Sequence, residues 1–371
     1  MSRIERKIAF ICASTLLLST LEYLIPKPLP FLRLGLANLP LLVILDNIAF
    51  LPYLAILVVK AIGQGMVSGT LFSYLFFISL AGTLSSGLAM KAVKSLFKGH
   101  VSTVGCSLVG AFVSNLAQLQ VASWVAYGPS IWVAAPLMLT LGLVTSFVLG
   151  LLAGQYLQKG SIPKALKEDS LALGMPLVSE KAHYSSVAVG SLVAIMAILF
   201  AEGTAYLAVL TLLMYGMQAV SGRRIRILPP LMLTLSLVVL SLFEPNGKVL
   251  LSIGSVAFTE GALLSALTKA LRLVSLLAAS QCLSASNPRI KGKAGAVLML
   301  TLSYFSVLSS SFKATSGSLI HRIDQALLTT ASVDAAAPCS PIVAKKPIKA
   351  SLFLLLTGII ITIAIISRFS N

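Results

Sequence analysis

Acidic residues are scarce in this chain: Asp and Glu together number 11 in 371 residues, against 28 Lys and Arg. The four aspartates, Asp46, Asp169, Asp324 and Asp334, stand apart, with no adjacent pair and no Asp-Asp-x-x-Asp run. Holding magnesium on a diphosphate takes clustered carboxylates, so metal-assisted diphosphate chemistry by this chain is not expected and no catalytic residue is assigned. His100, His183 and His321 are isolated, and Cys12, Cys106, Cys282 and Cys339 form no Cys-x-x-Cys pair. Neither a disulfide framework nor a zinc site is signalled, and no metal or cofactor is expected. The sequence has no Gly-Lys-Ser/Thr, so it lacks a phosphate-cradling loop and is not itself an ATPase. Charge of any sign is sparse, at 11% of residues against about 25% in soluble chains. That excludes a soluble enzyme and a disordered chain.

In place of charge the chain has apolar residues, 57% of the total, and a mean hydropathy of +0.96. At roughly 20 residues per span this is enough for about ten membrane helices. The expected fold class is therefore all-α, a polytopic membrane protein. The net charge of +17 is gathered in short gaps between apolar runs, where cytoplasmic loops are expected to hold it. Membrane lipid is the expected partner of that charge, and nucleic acid is not.

Arg3, Arg6 and Lys7 precede an apolar run from 8 to 25 that reads as an uncleaved first helix with a cytoplasmic N-terminus. Pro26, Pro28 and Pro30 end it. Further runs at 36–50, 52–70, 71–97, 102–126 and 131–157 bring the count to six crossings. The gaps after the fourth and sixth carry Lys91, Lys94, Lys98 and Lys159, Lys164, Lys167, as cytoplasmic gaps should. Lys27 and Arg33 fall outside on this count. Residues 158–184, with Pro163, Glu168, Asp169, Pro176 and Glu180, read as a cytoplasmic linker. The division is thus 1–157, a linker at 158–184, and a second membrane module at 185–371.

The second module has runs at 186–201, 203–220 and 227–243, then a long apolar segment broken near Thr259-Glu260-Gly261 and ending at Ser284. The basic turn Gly222-Arg223-Arg224-Ile225-Arg226 and the group Arg289, Lys291, Lys293 both count as cytoplasmic. Ala294 to Phe312 is apolar enough to span, but a span there sends Lys313, Arg322, Lys345, Lys346 and Lys349 outside. Interfacial helices on the cytoplasmic side avoid that and are preferred. A clear span follows at 350–366, for a second bundle of about five or six helices.

An ionisable group inside a span costs at least ~2.5–3.5 kcal/mol at the midplane unless it is paired or reaches water. Lys60 lies well inside the third run, and Asp46 near the end of the second. The two either pair across neighbouring helices, or Lys60 snorkels while Asp46 caps a helix end. Asn115 and Gln118 are three apart on one helical face, and Asn38 and Gln64 add two more amides. Such amides either bind helices together or line a pocket for a small polar solute. Ala9-x-x-x-Ala13 on the first helix makes a flat stripe on which another helix can dock.

Three blocks carry a family resemblance. Arg33-Leu34-Gly35-Leu36-Ala37-Asn38, then Ser68-Gly69-Thr70-Leu71-Phe72-Ser73 with Ser79-Leu80-Ala81-Gly82 and Met90, then Gly110-Ala111-Phe112-Val113-Ser114-Asn115-Leu116-Ala117-Gln118-Leu119 resemble the Gx transporter family in order. That family also carries the label heptaprenyl diphosphate synthase component I, and it is similar to the six-helix substrate-binding (S) subunits of energy-coupling factor (ECF) uptake systems. The resemblance covers 8–157 and implies an S-like bundle with Asn38, Lys60, Gln64, Asn115 and Gln118 at the solute. It also implies Ala9 and Ala13 at the interface with a transmembrane (T) subunit. Lys60 stands where the family pattern has arginine, and Ser114 where it has histidine.

Residues 187–312 resemble a T subunit more weakly, through Pro229-Pro230, Gly247, Thr259-Glu260-Gly261, Leu271-Arg272-Leu273 and Ser284-Ala285-Ser286-Asn287-Pro288. The Ala-Arg-Gly-like motifs by which T subunits press on ATPases do not occur between 294 and 349. Together the resemblances imply a fused S-plus-T subunit of the cytoplasmic membrane that takes up a small solute, with ATP hydrolysed by separate subunits. The alternative is a non-catalytic membrane partner of a prenyl diphosphate synthase or of a membrane redox complex.

Overall fold

The computed structural model describes residues 2–23, 35–97, 100–160, 163–164, 173–174, 185–221, 225, 227–243, 246–253, 256–286, 292–317, 319–331 and 350–369. The proline-rich turn with Arg33, most of the 158–184 linker, the arginines of the 222–226 turn, Asn287 to Lys291 and 332–349 lie outside the described residues.

Among the described residues the first module holds six α-helices: α1 (Arg3–Tyr23), α2 (Leu39–Ile44), α3 (Phe50–Ser68), α4 (Tyr74–Leu96), α5 (Thr103–Ala122) and α6 (Ala135–Lys159). The second holds α7 (Ser185–Phe200), α8 (Thr204–Val220), α9 (Leu228–Ser241), a hairpin of β1 (Val249–Ile253) and β2 (Val256–Thr259), then α10 (Glu260–Ala285), α11 (Lys293–Ala314), α12 (Leu319–Ala331) and α13 (Ala350–Phe369). The protein is an all-α polytopic membrane protein: among the described residues seven helical stretches are long and apolar enough to cross a bilayer. Helices α7, α8 and α9 are apolar but shorter.

Several expectations change. The run at 36–50 is not one span-length helix: it forms a 3-10 turn at Leu36–Asn38 and the six-residue α2. Pro40 suits the first turn of α2, while the sequence after it passes through a turn at 45–47 before Pro52 opens α3. The break near Glu260 is present as the start of α10, but the segment before it is a hairpin that apolar periodicity did not reveal. The first part of 294–349, for which the interfacial reading is preferred, forms α11, a helix of span length and apolarity that packs along α1. Among the described residues of 294–349, the short α12 has the amphipathic character expected of an interfacial helix.

Helix α1 does not face lipid along its middle. Every residue from Ile8 to Leu18 is buried, as a helix apolar on all sides must be when it sits inside a bundle. On one side it packs on α3 and the Leu36–Asn38 turn, and on the other on α11. Leu16 and Leu298 meet over Gly63, while the Phe10 and Tyr304 rings meet edge to face at 5.9 Å. Residue numbers rise along α1 as they fall along α11, so the pair is antiparallel.

The second module also grips the first bundle at one end. Short connections make α3 to α6 alternate in direction, which places the 69–73 and 123–134 turns together. Helix α10 reaches both: the Ser280 hydroxyl lies 2.5 Å from the Leu71 carbonyl and 3.1 Å from that of Gly69, and Leu264 borders a cleft shared with Trp124. Leu264 and Ser280 are about 24 Å apart along a helix. Helix α10 therefore lies across the end of the first bundle and not alongside its helices. Leu71, Tyr127 and Ile131 join Met214, Leu237 and Leu276 in one apolar core at this seam, and Tyr127 and Ser236 share a hydrogen bond of 3.2 Å.

Candidate functional site

The site begins at Gly35. Its φ of 93° is a left-handed conformation that side chains rarely adopt, and it turns the chain into the 3-10 turn that closes with Asn38 N–H on the Gly35 carbonyl at 2.8 Å. That turn delivers Asn38 to the inside of the bundle. From α4 come Gly82 and Thr83, from α5 Ala111, Ser114, Asn115 and Gln118, and from α6 Gly142 and Ser146. With Glu22 at the end of α1, these residues line a small polar cavity of about 30 Å³. That is room for about two waters.

Close packing is what sets the amides. A Cβ at Gly82 would fall 2.6 Å from Gln118 Nε2, and one at Gly142 would collide with Asn115 Nδ2. Asn115 Nδ2 donates to the Met138 carbonyl at 2.9 Å, which fixes its flip. Gln118 Nε2 donates to Ser114 Oγ at 2.9 Å. Gln118 Oε1 is buried with no hydrogen-bond partner. A buried acceptor left bare costs about 1–3 kcal/mol, so a donor placed in this cavity is rewarded by that amount.

Lys60 stands behind this lining. It is 1% exposed, and its Nζ donates to Asn38 Oδ1 at 2.8 Å. Of the two alternatives for Lys60 and Asp46, the direct pair is not formed. Asp46 lies at an exposed turn, where it pairs with Lys94 at 3.3 Å, and α3 carries Lys60 nearly three turns further along. Asn38, Asn115 and Gln118 thus come together at the cavity, and Lys60 touches it through Asn38. Gln64, one turn beyond Lys60 on α3, is not among the lining residues. Ala9 and Ala13 are fully buried, in the apolar core that also contains Val297, Leu300, Tyr304 and Leu308 of α11.

Sequence reasoning missed Glu22. It is 4% exposed and lines the cavity. Its signal was in plain sight: a carboxylate within an apolar run, of the same kind that drew attention to Lys60. Thr83 and Ser146 were missed for a different reason, since hydroxyl residues are common in membrane helices and nothing in their spacing marks them.

A second, larger cleft of about 600 Å³ lies at the seam between modules, bordered by the 123–128 turn, Thr204 and the first turns of α10.

Residues 11–156 match the family described as heptaprenyl diphosphate synthase component I, the family that the motifs of the first module resemble. Residues 183–283 match a domain of unknown function. No curated protein and no solved structure matches the chain.

Proposed function

We propose that the chain is an ECF-type uptake subunit in which a solute-binding module and a coupling module are fused. The observation that carries this reading is the polar cavity inside an otherwise apolar bundle, where Asn38, Asn115 and Gln118 converge and Gln118 Oε1 lacks a donor. A few placed polar groups in an apolar shell are what orient a small solute. The family match over 11–156 supports the same assignment for the first module. The T-like role of the second module rests on its sequence resemblance and on how it holds the first.

The hold matters to mechanism. Since α10 crosses the end of the first bundle while α11 runs antiparallel beside α1, α10 and the helices of the first bundle cannot both stand along the membrane normal. Moving solute inward is then a rocking of the first bundle, with α1 against α11 and the 69–73 and 123–134 turns against α10 as its seats. In the closed state the cavity is small, so the helices around it separate to admit solute. The chain sits in the cytoplasmic membrane with its N-terminus inside, and separate ATPase subunits supply the energy.

The test is mass spectrometry of the full chain purified in mild detergent, followed by uptake into vesicles with partner ATPases and the small molecule so found. Solute-dependent ATP hydrolysis and accumulation are expected. If no small molecule is retained, and prenyl diphosphate synthesis by a partner enzyme rises when this chain is added, the reading as a non-catalytic synthase subunit replaces this one.

A further inference from the structure

The cleft at the seam differs in character from the cavity in the first bundle. Its volume is about 600 Å³, within the range of pockets that hold small ligands. Lys269 and Arg272, three apart on α10 and so on one face, are its ionisable residues, and no carboxylate is among its lining. The nearest acids in sequence, Glu202 and Glu260, lie outside that lining.

The cations are poorly satisfied by the protein. Arg272 donates one bond, from Nη2 to the Ala201 carbonyl at 2.8 Å, and its Nε is buried with no partner. Lys269 makes no ion pair or hydrogen bond among the described residues. The hydroxyls nearby are bonded to each other or to backbone: Thr204 and Thr268 share a hydrogen bond of 2.8 Å, and Thr268 also donates to the Leu264 carbonyl at 2.8 Å. Lys269 and Arg272 are the charged donors that line the cleft. The rim carries Trp124, 75% exposed, and tryptophan gathers at the headgroup level of a bilayer.

We propose that this cleft binds a phosphate-bearing anion, with Lys269 and Arg272 as its ligands. Occupying it joins the 123–128 turn of the first module to α10 of the second, so the anion acts as a clasp across the seam. A lipid headgroup and a free phosphate offer the same chemistry, and the two are separated by experiment. The proposal is independent of the solute cavity, whose lining shares no residue with this cleft.

The full chain in detergent would be titrated with phosphatidylglycerol, phosphatidylcholine and pyrophosphate. Lipid binding would be followed by native mass spectrometry and pyrophosphate by calorimetry, for the natural protein and for Lys269→Gln, Lys269→Arg and Arg272→Gln. Loss of one charge-assisted hydrogen bond weakens the anion by about tenfold, and Lys269→Arg retains it. Because Arg272 also anchors Ala201, Lys269→Gln is the deciding variant: Lys269 is exposed, and its loss leaves the packing intact. Phosphatidylglycerol binding that falls in Lys269→Gln while phosphatidylcholine does not identifies a headgroup site. Pyrophosphate binding that falls in the same variant identifies a soluble anion. Equal binding of both lipids with no pyrophosphate binding, or affinities unchanged by Lys269→Gln, overturns the proposal.

Discussion

Lys60 Nζ donates to Asn38 Oδ1 at 2.8 Å, linking a buried cation on α3 to an amide presented by the turn after Gly35. The amide oxygen is thereby occupied, and Asn38 Nδ2 is left to face Ser86 Oγ at 3.5 Å and the cavity. Lys60→Met removes the group that holds Asn38. Retention of the native small molecule is expected to fall about tenfold, and Lys60→Arg, whose guanidinium carries the same charge and further donors, is expected to keep it. Retention unchanged in the methionine variant would show that Asn38 needs no such support.

Gln118→Met exchanges the unsatisfied carboxamide for an apolar chain of similar length. Removing the bare Oε1 acceptor offsets the loss of the Nε2–Ser114 Oγ bond, so stability is expected to change by less than ~1 kcal/mol. Solute retention is nevertheless expected to be lost. Thermal unfolding in detergent and mass spectrometry on the same sample separate the two effects, and a marked drop in melting temperature would contradict this account of Oε1.

Gly82→Ala tests the packing that aims Gln118. Alanine gains about 1 kcal/mol of helix propensity over glycine, but its Cβ would lie 2.6–2.8 Å from three side-chain atoms of Gln118. Overpacking of this kind costs about 1–3 kcal/mol. The expected net result is a lower melting temperature together with loss of retained solute, and a stabilised variant would show that Gln118 moves freely.

Ala13→Leu adds bulk to a fully buried position on α1, in the core that α1 shares with α11. The same overpacking range of about 1–3 kcal/mol applies. If this seat couples the modules, the variant retains small molecule in detergent but does not accumulate it in vesicles. Equal uptake by natural protein and variant would remove α1 and α11 from the coupling route.

Asp46→Asn should do little. Its pairing with Lys94 at 3.3 Å is made by a carboxylate that is 59% exposed, and exposed pairs are worth ~0–1 kcal/mol. Melting within a degree or two of the natural protein, and unchanged solute retention, are expected; a large loss of retention would restore Asp46 to the site.

What could be read from the sequence divides along physical lines. Span-length helices were legible because hydropathy over about 20 residues is a bulk property, and α3 to α6 fall close to their apolar runs. The run at 36–50 misled as to helix length because apolar content says nothing of the Gly35 turn, of Pro40 in the first turn of α2, or of the turn at 45–47 that divides it. The spacing of Asn115 and Gln118 was legible because one helix carries both. Lys60's partner was not, because a pairing across helices depends on the level at which each helix sets its residues, and that level placed Asp46 in an exposed turn.

The scarcity of acid and the abundance of apolar residues determined, without coordinates, that this chain lives in a bilayer and carries no Asp-Asp-x-x-Asp run. Both are properties of composition and local order, which folding does not alter. The tertiary structure alone decided that Glu22 joins the amides, that α1 is enclosed by α3 and α11, and that α10 lies across the first bundle and leaves Lys269 and Arg272 in a cleft. These depend on which helix faces meet over distances of hundreds of residues, and packing fixes that choice where periodicity does not.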